Sequence, residues 1–238
     1  REKYKTDVVA LKQIEDLFGD ISVYTDEFDP FWDELVPQAI KIHNQGQYQM
    51  GEWAGSGCVD YNEGRALYTF TRIMQPTCMI ELGYAGGIST SCIARGLEVN
   101  GGGVVHAVDH SPEHWNTSTM FKEYCTKNII VQYHSTDAVQ FLRDSALMPT
   151  LTFSDATHDE EPTRQIAELL KMKWPNATHL YHEWGMSTIS GHVERSYVSM
   201  QNLIGTQFER NAFEKVFGSE YRHGGLYGSC GLGIVMPM

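Results

Sequence analysis

Between residues 78 and 183 the sequence alternates short β-rich runs with amphipathic runs of helical length. Strands are predicted at 78–83, 104–109, 129–134, 151–155 and 178–183. This alternation predicts βαβ units, which build a parallel sheet with helices on both faces. Two β-like runs flank Gly228 and Ser229 in the tail and predict a closing hairpin. We therefore expect an α/β fold with a doubly wound, mostly parallel, Rossmann-like sheet of seven strands.

The first 60 residues follow a different rhythm, with apolar residues at helical spacing. The dipeptide Asp29-Pro30 predicts a helix start, because Asp is a good N-cap and Pro suits the first helical position. We expect an N-terminal helical extension over 1–60 and a main domain over 61–238. The aromatic residues of the extension could cover a substrate pocket, or could pack in a helical layer or at a homodimer contact: Phe28, Phe31, Trp32 and Trp53.

Composition excludes several partner classes. The net charge is −12, with 18 Lys and Arg against 30 Asp and Glu, and the basic residues are dispersed. Nucleic-acid binders carry basic patches, so we expect no nucleic-acid partner. We find no apolar run of membrane-spanning length and no secretory signal, so we expect no membrane partner. The five cysteines form no C-x-x-C pair, which predicts reduced thiols in the cytoplasm.

Acidic side chains stand at or just after the predicted strand ends. The first four strands lead to Glu81, Asp109, Asp137 and Asp155, and the fifth ends at His182-Glu183. In an open α/β sheet, ligands bind outside the carboxyl ends of the strands. The sequence therefore predicts a binding site that is rich in carboxylates along this edge.

The first of these strand ends runs into a glycine-rich turn, "IELGYAGGIST" at 80–90. Gly83 and Gly87 allow a tight turn and a close approach of a ligand to the backbone. The dinucleotide spacing G-x-G-x-x-G fails here, because Ala85 and Ile88 occupy its second and third glycine positions. A carboxylate at Glu81 would also repel a pyrophosphate. The turn therefore favours a cationic ligand.

This turn resembles motif I of class I S-adenosylmethionine-dependent methyltransferases, E-x-G-x-x-x-G. Glu81, Gly83 and Gly87 match that motif, Asp109 matches the ribose-binding acid, and Asp137 matches the acid beside adenine. Over about 60–238 the sequence is most similar to small-molecule O-methyltransferases of the macrocin and catechol type and to cephalosporin-hydroxylase-like relatives. The resemblance implies a methyltransferase sheet and these cofactor-binding residues: Glu81, Gly83, Tyr84, Ala85, Gly87, Ser89, Asp109, His110, Thr136, Asp137 and Asp155.

The same relatives often hold a divalent metal such as Mg²⁺ or Mn²⁺, which lowers the pKa of the accepting oxygen. By this resemblance the metal ligands would be Asp155, His182 and Glu183. His182 departs from the family's usual acid or Asn, and Trp184 cannot ligate a metal. The alternative is a metal-free site in which His158 or His182 is the general base. The candidate catalytic residues are therefore His158, His182 and Asp155.

The resemblance implies methyl transfer from S-adenosylmethionine to an oxygen of a small-molecule acceptor, expected to be a secondary metabolite. Two alternatives stay open. One is a nicotinamide-dependent oxidoreductase on a Rossmann-like fold, which predicts the dinucleotide spacing that is absent here. The other is a non-catalytic protein that binds S-adenosylmethionine, since a fold does not fix a function.

Overall fold

The computed structural model describes residues 22–45, 59–110, 129–157, 159–182, 208–226 and 231–238. Of the sequence predictions, the part of the N-terminal helical extension before residue 22, Trp53, His158, Glu183 and the turn at Gly228-Ser229 lie outside these residues.

Seven strands form one sheet. They are β1 (Cys78–Leu82), β2 (Gly103–Asp109), β3 (Ile129–Ser135), β4 (Leu151–Ser154), β5 (Thr178–His182), β6 (Tyr221–Leu226) and β7 (Leu232–Pro237). Their order is β3-β2-β1-β4-β5-β7-β6. The first five are parallel, while β7 runs antiparallel to both β5 and β6. The predicted mostly parallel seven-stranded sheet and its closing hairpin are confirmed.

Six helices accompany the sheet in the described part of the chain. They are α1 (Ser22–Gln45), α2 (Tyr61–Met74), α3 (Ile88–Val99), α4 (Ala138–Asp144), α5 (Glu160–Lys173) and α6 (Phe208–Phe217), and the 3₁₀ turn Gly218–Glu220 follows α6.

The two faces of the sheet bury separate cores, because successive strand residues point to opposite faces. In β1, Met79 contributes to a core shared with α1, α2 and α3, whereas Ile80 contributes to a core shared with α4, α5 and α6. Both side chains are fully buried. Helices therefore cover both faces, as a doubly wound sheet requires.

Helix α1 begins at Ser22, seven positions before the N-cap that Asp29 was predicted to provide. The prediction that the helix starts at Asp29-Pro30 is wrong. Asp29 instead accepts a hydrogen bond from the Tyr61 hydroxyl of α2. A tertiary contact thus uses the side chain that would otherwise cap a helix, and Pro30 lies within the helix despite its missing N–H group.

An aromatic cluster joins α1 to α2. The rings of Phe28 and Trp32 lie 5.7 and 5.8 Å from the ring of Tyr61, respectively, measured between centroids. Beside the cluster, Glu27 of α1 accepts hydrogen bonds from the Tyr68 hydroxyl (2.7 Å) and from Nε of Arg72 (3.0 Å). Phe28, Phe31 and Trp32 therefore belong to the core of a helical layer, which was one of the three expectations for them.

A search of the described helices for a long apolar stretch that could cross a membrane finds none.

The aromatic cluster gives a test of whether α1 unfolds together with the sheet. Phe28→Ala removes a fully buried ring, which typically costs about 3–5 kcal/mol of the free energy of unfolding. We expect one urea-unfolding transition, shifted to lower urea. Val23→Ala is the control on the same helix, since Val23 is 56% exposed. A Phe28→Ala curve that overlays the wild type, or that splits into two transitions, would show that α1 is independent of the sheet.

Candidate functional site

The turn after β1 lies directly against the end of β4. The N–H group of Gly83 donates to the carbonyl oxygen of Val108 at 2.7 Å, and its φ is +84°. A Cβ atom at this position would lie 2.2 Å from the carbonyl oxygen of Asp155. Gly83 therefore combines a left-handed backbone with a close approach that a side chain would prevent. The turn therefore lies next to the backbone of Asp155, at the end of β4.

The other end of the turn is held by the carboxylate that follows β2. Ala85 has a φ of +38°, which is unusual for a residue with a side chain. Its N–H group donates to Oδ2 of Asp109 at 3.0 Å. Gly87, with φ +82°, then serves as the N-cap of α3. Asp109, only 6% exposed, thus fixes the turn and lies beside it.

Glu81 is fully buried beneath the turn. Its two carboxylate oxygens accept hydrogen bonds from the hydroxyl groups of Ser89 and Thr90, in the first turn of α3. Burial raises the pKa of Glu81 to about 8, although the two hydroxyls act in the opposite direction. In this arrangement Glu81 anchors the start of α3 through both of its carboxyl oxygens. Its role in cofactor binding stays a prediction.

Tyr84 lies within the turn and is 2% exposed. Its ring meets the ring of Tyr133 on β3 edge-on, with the centroids 5.4 Å apart. Burial raises the pKa of Tyr84 to about 12, so the phenol stays neutral near neutral pH. The ring therefore forms an apolar wall at this end of the site.

The remaining predicted cofactor residues line the ends of β2 and β3. Nδ1 of His110 lies 3.7 Å from Oδ1 of Asp109, and the His110 side chain is 76% exposed. The N–H group of Thr136 donates to the carbonyl oxygen of Asp109 at 3.0 Å. Asp137 is exposed and caps α4, where Oδ1 accepts from the N–H group of Gln140 at 2.9 Å. The structure thus brings these residues to the same edge as the glycine turn.

At the ends of β4 and β5, Asp155 and His182 form a close pair. Nδ1 of His182 lies 3.0 Å from Oδ1 of Asp155, and their side chains are 5% and 11% exposed, respectively. Neighbouring parallel strands end at the same edge, which explains why residues so far apart in sequence meet.

Glu63 completes this pair, and sequence reasoning did not identify it as a site residue. Its Oε2 lies 3.5 Å from Nε2 of His182, on the other side of the ring from Asp155. The only sequence signal was the capping box with Asp60 at the start of α2, which predicts a helix start and nothing about a site. Its contact with His182 depends on how α2 packs on the sheet.

The two carboxylates decide the charge of the imidazole. Burial alone would lower the pKa of His182, but the carboxylates of Asp155 and Glu63 outweigh it and hold that pKa well above its ordinary value. Burial alone would raise the pKa of Glu63, but His182 and the backbone N–H groups of Asp60 and Gly231 outweigh it and lower that pKa. The three side chains therefore form a buried, charged triad, Glu63–His182–Asp155.

The described residues do not form the predicted metal site by themselves. Nδ1 of His182 and Oδ1 of Asp155 lie 3.0 Å apart, while Nε2 of His182 faces Glu63 rather than a third predicted ligand. In the part of the chain that the structure describes, no group of three His, Cys, Asp or Glu side chains could hold a metal. Glu183 and His158 lie outside that part, so their predicted roles stay predictions.

The segment that contains most of these strand ends matches a family model. Residues 80–184 match a family model described as a methyltransferase domain. This segment is a methyltransferase domain. It includes the glycine turn, Asp109, Asp155 and His182, whereas Glu63 lies before it. A search of the curated proteins found no match.

Solved structures share the methyltransferase fold over nearly the whole chain. The Podospora anserina methyltransferase PaMTH1, bound to S-adenosylhomocysteine, is 13% identical, with a TM-score of 0.65 over 92% of this chain and 97% of that one. The O-methyltransferase TomG of Streptomyces achromogenes, involved in tomaymycin synthesis and bound to S-adenosylmethionine, is 15% identical, with a TM-score of 0.58 over 89% and 96%. A Bacillus cereus O-methyltransferase bound to S-adenosylhomocysteine is 17% identical, with a TM-score of 0.55 over 94% and 96%.

The buried carboxyl of the methyltransferase domain predicts a specific pH dependence. The folded protein keeps the Glu81 proton up to about pH 8, whereas the unfolded chain loses it near 4.5. Between these values the unfolded chain binds fewer protons, so the free energy of unfolding falls as the pH rises. The Glu81 contribution falls by at most about 1.4 kcal/mol per pH unit.

Glu81→Gln removes this titration and keeps a side chain that can bond to both hydroxyls. We expect urea unfolding across that window to show the wild type losing stability relative to Glu81→Gln as the pH rises. Parallel pH profiles for the two proteins would contradict the raised pKa.

Proposed function

We propose that the protein transfers a methyl group from S-adenosylmethionine to an oxygen of a small-molecule acceptor. The observation that carries the proposal is the glycine turn held between the backbone of β4 and the carboxylate of Asp109. Such a turn lets the methionine part of a ligand lie against the backbone. The carboxylates around it favour a ligand that carries a sulfonium and an ammonium group. The methyltransferase domain at 80–184 supports the same cofactor.

The rest of the cofactor would follow the edge from β1 to β3. Asp109 uses Oδ2 for the Ala85 N–H group, and a carboxylate has further acceptor positions for the two ribose hydroxyls. Asp137 would accept from the adenine amino group beside its capping bond to Gln140. Thr136 and His110 lie next to that position. The neighbours that hold S-adenosylmethionine or S-adenosylhomocysteine in their crystals support this placement.

The reaction needs a nucleophilic oxygen in line with the sulfonium methyl group. The oxygen of the acceptor hydroxyl forms a bond to the methyl carbon, and the carbon–sulfur bond breaks with its electron pair going to sulfur. The products are the methyl ether and the neutral thioether S-adenosylhomocysteine, and the hydroxyl proton passes to a base. Positioning of the two reactants supplies much of the rate enhancement.

The geometry favours Asp155 as that base. Both ring nitrogens of His182 face carboxylates, so neither is directed toward a substrate hydroxyl. Asp155 gives one oxygen to His182 and is the more exposed member of the pair. His158, which follows β4, stays the alternative base. His182 then serves to hold Asp155 rather than to take the proton itself.

The acceptor class rests on the relatives. TomG is described as an O-methyltransferase involved in tomaymycin synthesis, which supports a small secondary metabolite as acceptor here. We also propose a homodimer, action in the cytoplasm, and no nucleic-acid or membrane partner. The acidic composition supports the absence of a nucleic-acid partner. The free thiols of Cys78 and Cys92 support action in the reducing cytoplasm.

The cofactor assignment is tested by calorimetric titration with S-adenosylhomocysteine. We expect wild type to bind it and Asp109→Asn to bind about 10- to 100-fold more weakly, because a neutral amide replaces a charged acceptor of the ribose hydroxyls. The control is Asp144→Asn, the same change at the end of α4. Binding of NAD with no binding of S-adenosylhomocysteine would favour the oxidoreductase, and equal affinity in the two variants would exclude Asp109 from the cofactor site.

Metal dependence is tested separately, with catechol as the probe acceptor and release of S-adenosylhomocysteine as the readout. Because His182 is enclosed by two carboxylates, we expect dialysis against EDTA to leave the rate unchanged. A loss of activity that Mg²⁺ or Mn²⁺ restores would contradict this arrangement and return Asp155, His182 and Glu183 to the role of metal ligands. A wild type that binds the cofactor but transfers no methyl group to any hydroxyl acceptor would favour the non-catalytic alternative.

A further inference from the structure

We propose that Glu63 is a positioning residue of the methyl-transfer site, which fixes the ring of His182 and through it the carboxylate of Asp155. This inference rests on the proposed function. It adds to the site a residue that lies ahead of the methyltransferase domain at 80–184.

Glu63 is itself held on both carboxylate oxygens. Oε1 accepts from the N–H group of Gly231 at 2.7 Å, and Oε2 accepts from the N–H group of Asp60 at 2.8 Å. The residue is 1% exposed. A carboxylate that is buried and bonded at both oxygens has little freedom to move, so it can serve as a fixed support for a neighbour.

His182 lies between this support and Asp155. Nε2 is 3.5 Å from Oε2 of Glu63, and Nδ1 is 3.0 Å from Oδ1 of Asp155. Neither contact has the alignment of a hydrogen bond, so both are ion-pair contacts, and a carboxylate on each side of the ring restricts its rotation and its position. Removing either carboxylate leaves the buried imidazolium of His182 with a single charged partner and one ring nitrogen with no carboxylate beside it.

Three distant parts of the chain therefore meet at Glu63: the start of α2, the end of β5 and the residue that precedes β7. A helix cap alone needs only one acceptor for the N–H group of Asp60. The bond from Gly231 to Oε1 and the contact of Oε2 with His182 go beyond that requirement. The proposed role of Glu63 is to hold His182, and through it Asp155, in a position that depends on how α2 and β7 pack.

Glu63→Gln tests the proposal without changing the size of the side chain. A glutamine offers one carbonyl oxygen and an NH₂ group. If the carbonyl oxygen takes the place of Oε1, the NH₂ group faces the N–H group of Asp60 and Nε2 of His182 and can accept from neither. If it takes the place of Oε2, the N–H group of Gly231 loses its acceptor and His182 faces a neutral oxygen instead of a carboxylate. The attraction that holds the His182 ring is weaker in both cases.

The matched control is Asp60→Ala. It removes the acceptor for the N–H group of Glu63 and so disturbs the same helix cap, but it leaves the Glu63 carboxylate in place beside His182. Both variants are expected to unfold at lower temperature than wild type. Any effect that follows from the cap alone should therefore appear in both.

The first readout is nuclear magnetic resonance of the His182 ring in protein labelled at histidine, which needs no acceptor. We expect the ring N–H signal on the Glu63 side to be protected from solvent exchange in wild type and in Asp60→Ala. We expect this protection to be lost in Glu63→Gln. Equal protection in all three proteins would overturn the proposal.

The second readout is kinetic, with catechol as the probe acceptor. We expect Glu63→Gln to lower kcat by about tenfold or more relative to Asp60→Ala, the loss typical of a disturbed positioning contact. KM for S-adenosylmethionine and affinity for S-adenosylhomocysteine should stay within about twofold, because the proposed function gives most of the cofactor contacts to the glycine turn, Asp109 and Asp137. Equal kcat in the two variants would overturn the inference. A wild type that binds no S-adenosylhomocysteine would instead refute the proposed function, so the two failures are distinguishable.

Discussion

The candidate site depends on the close approach between Gly83 and the backbone at the end of β4. A side chain at Gly83 would collide with the carbonyl of Asp155. Because glycine allows that approach, the turn after β1 lies between the end of β4 and the end of β2. The carboxylate of Asp109 reaches the turn from one side, and that of Asp155 lies on the other. The absence of a Cβ atom at Gly83 therefore allows the turn to lie between the carboxylates of Asp109 and Asp155.

Electrostatics then selects the kind of ligand. Glu63, Glu81, Asp109 and Asp155 bring four carboxyl groups to this part of the sheet, and all four are largely buried. One is protonated near neutral pH, because its pKa is raised to about 8, and the cation of His182 offsets another. The remaining charge is negative in a region where water screens poorly. A pyrophosphate would be repelled there, whereas a sulfonium and an ammonium group would be attracted.

The sequence predicted most of the fold because its signals are local. Strand periodicity located β1 to β5 to within one residue at each end, and parallel topology brought Asp109 and Asp155 to one edge. The predictions that failed or were missed depend on contacts between distant residues. Asp29 looked like an N-cap but bonds to Tyr61, and Glu63, which the sequence analysis did not single out, contacts His182. No local pattern contains the information that Glu63 of α2 meets the end of β5 and the residue before β7.

The same reasoning explains why the surroundings of His182 could not be predicted from the sequence. A histidine at a strand end suggests either role when its neighbours are unknown, since the neutral imidazole both binds metals and accepts protons. The structure supplies the missing fact, a carboxylate on each side of the ring. The two carboxylates raise the pKa of that imidazole and so favour its charged form. In the proposed mechanism the substrate proton therefore goes to Asp155, which is more exposed than His182 and Glu63.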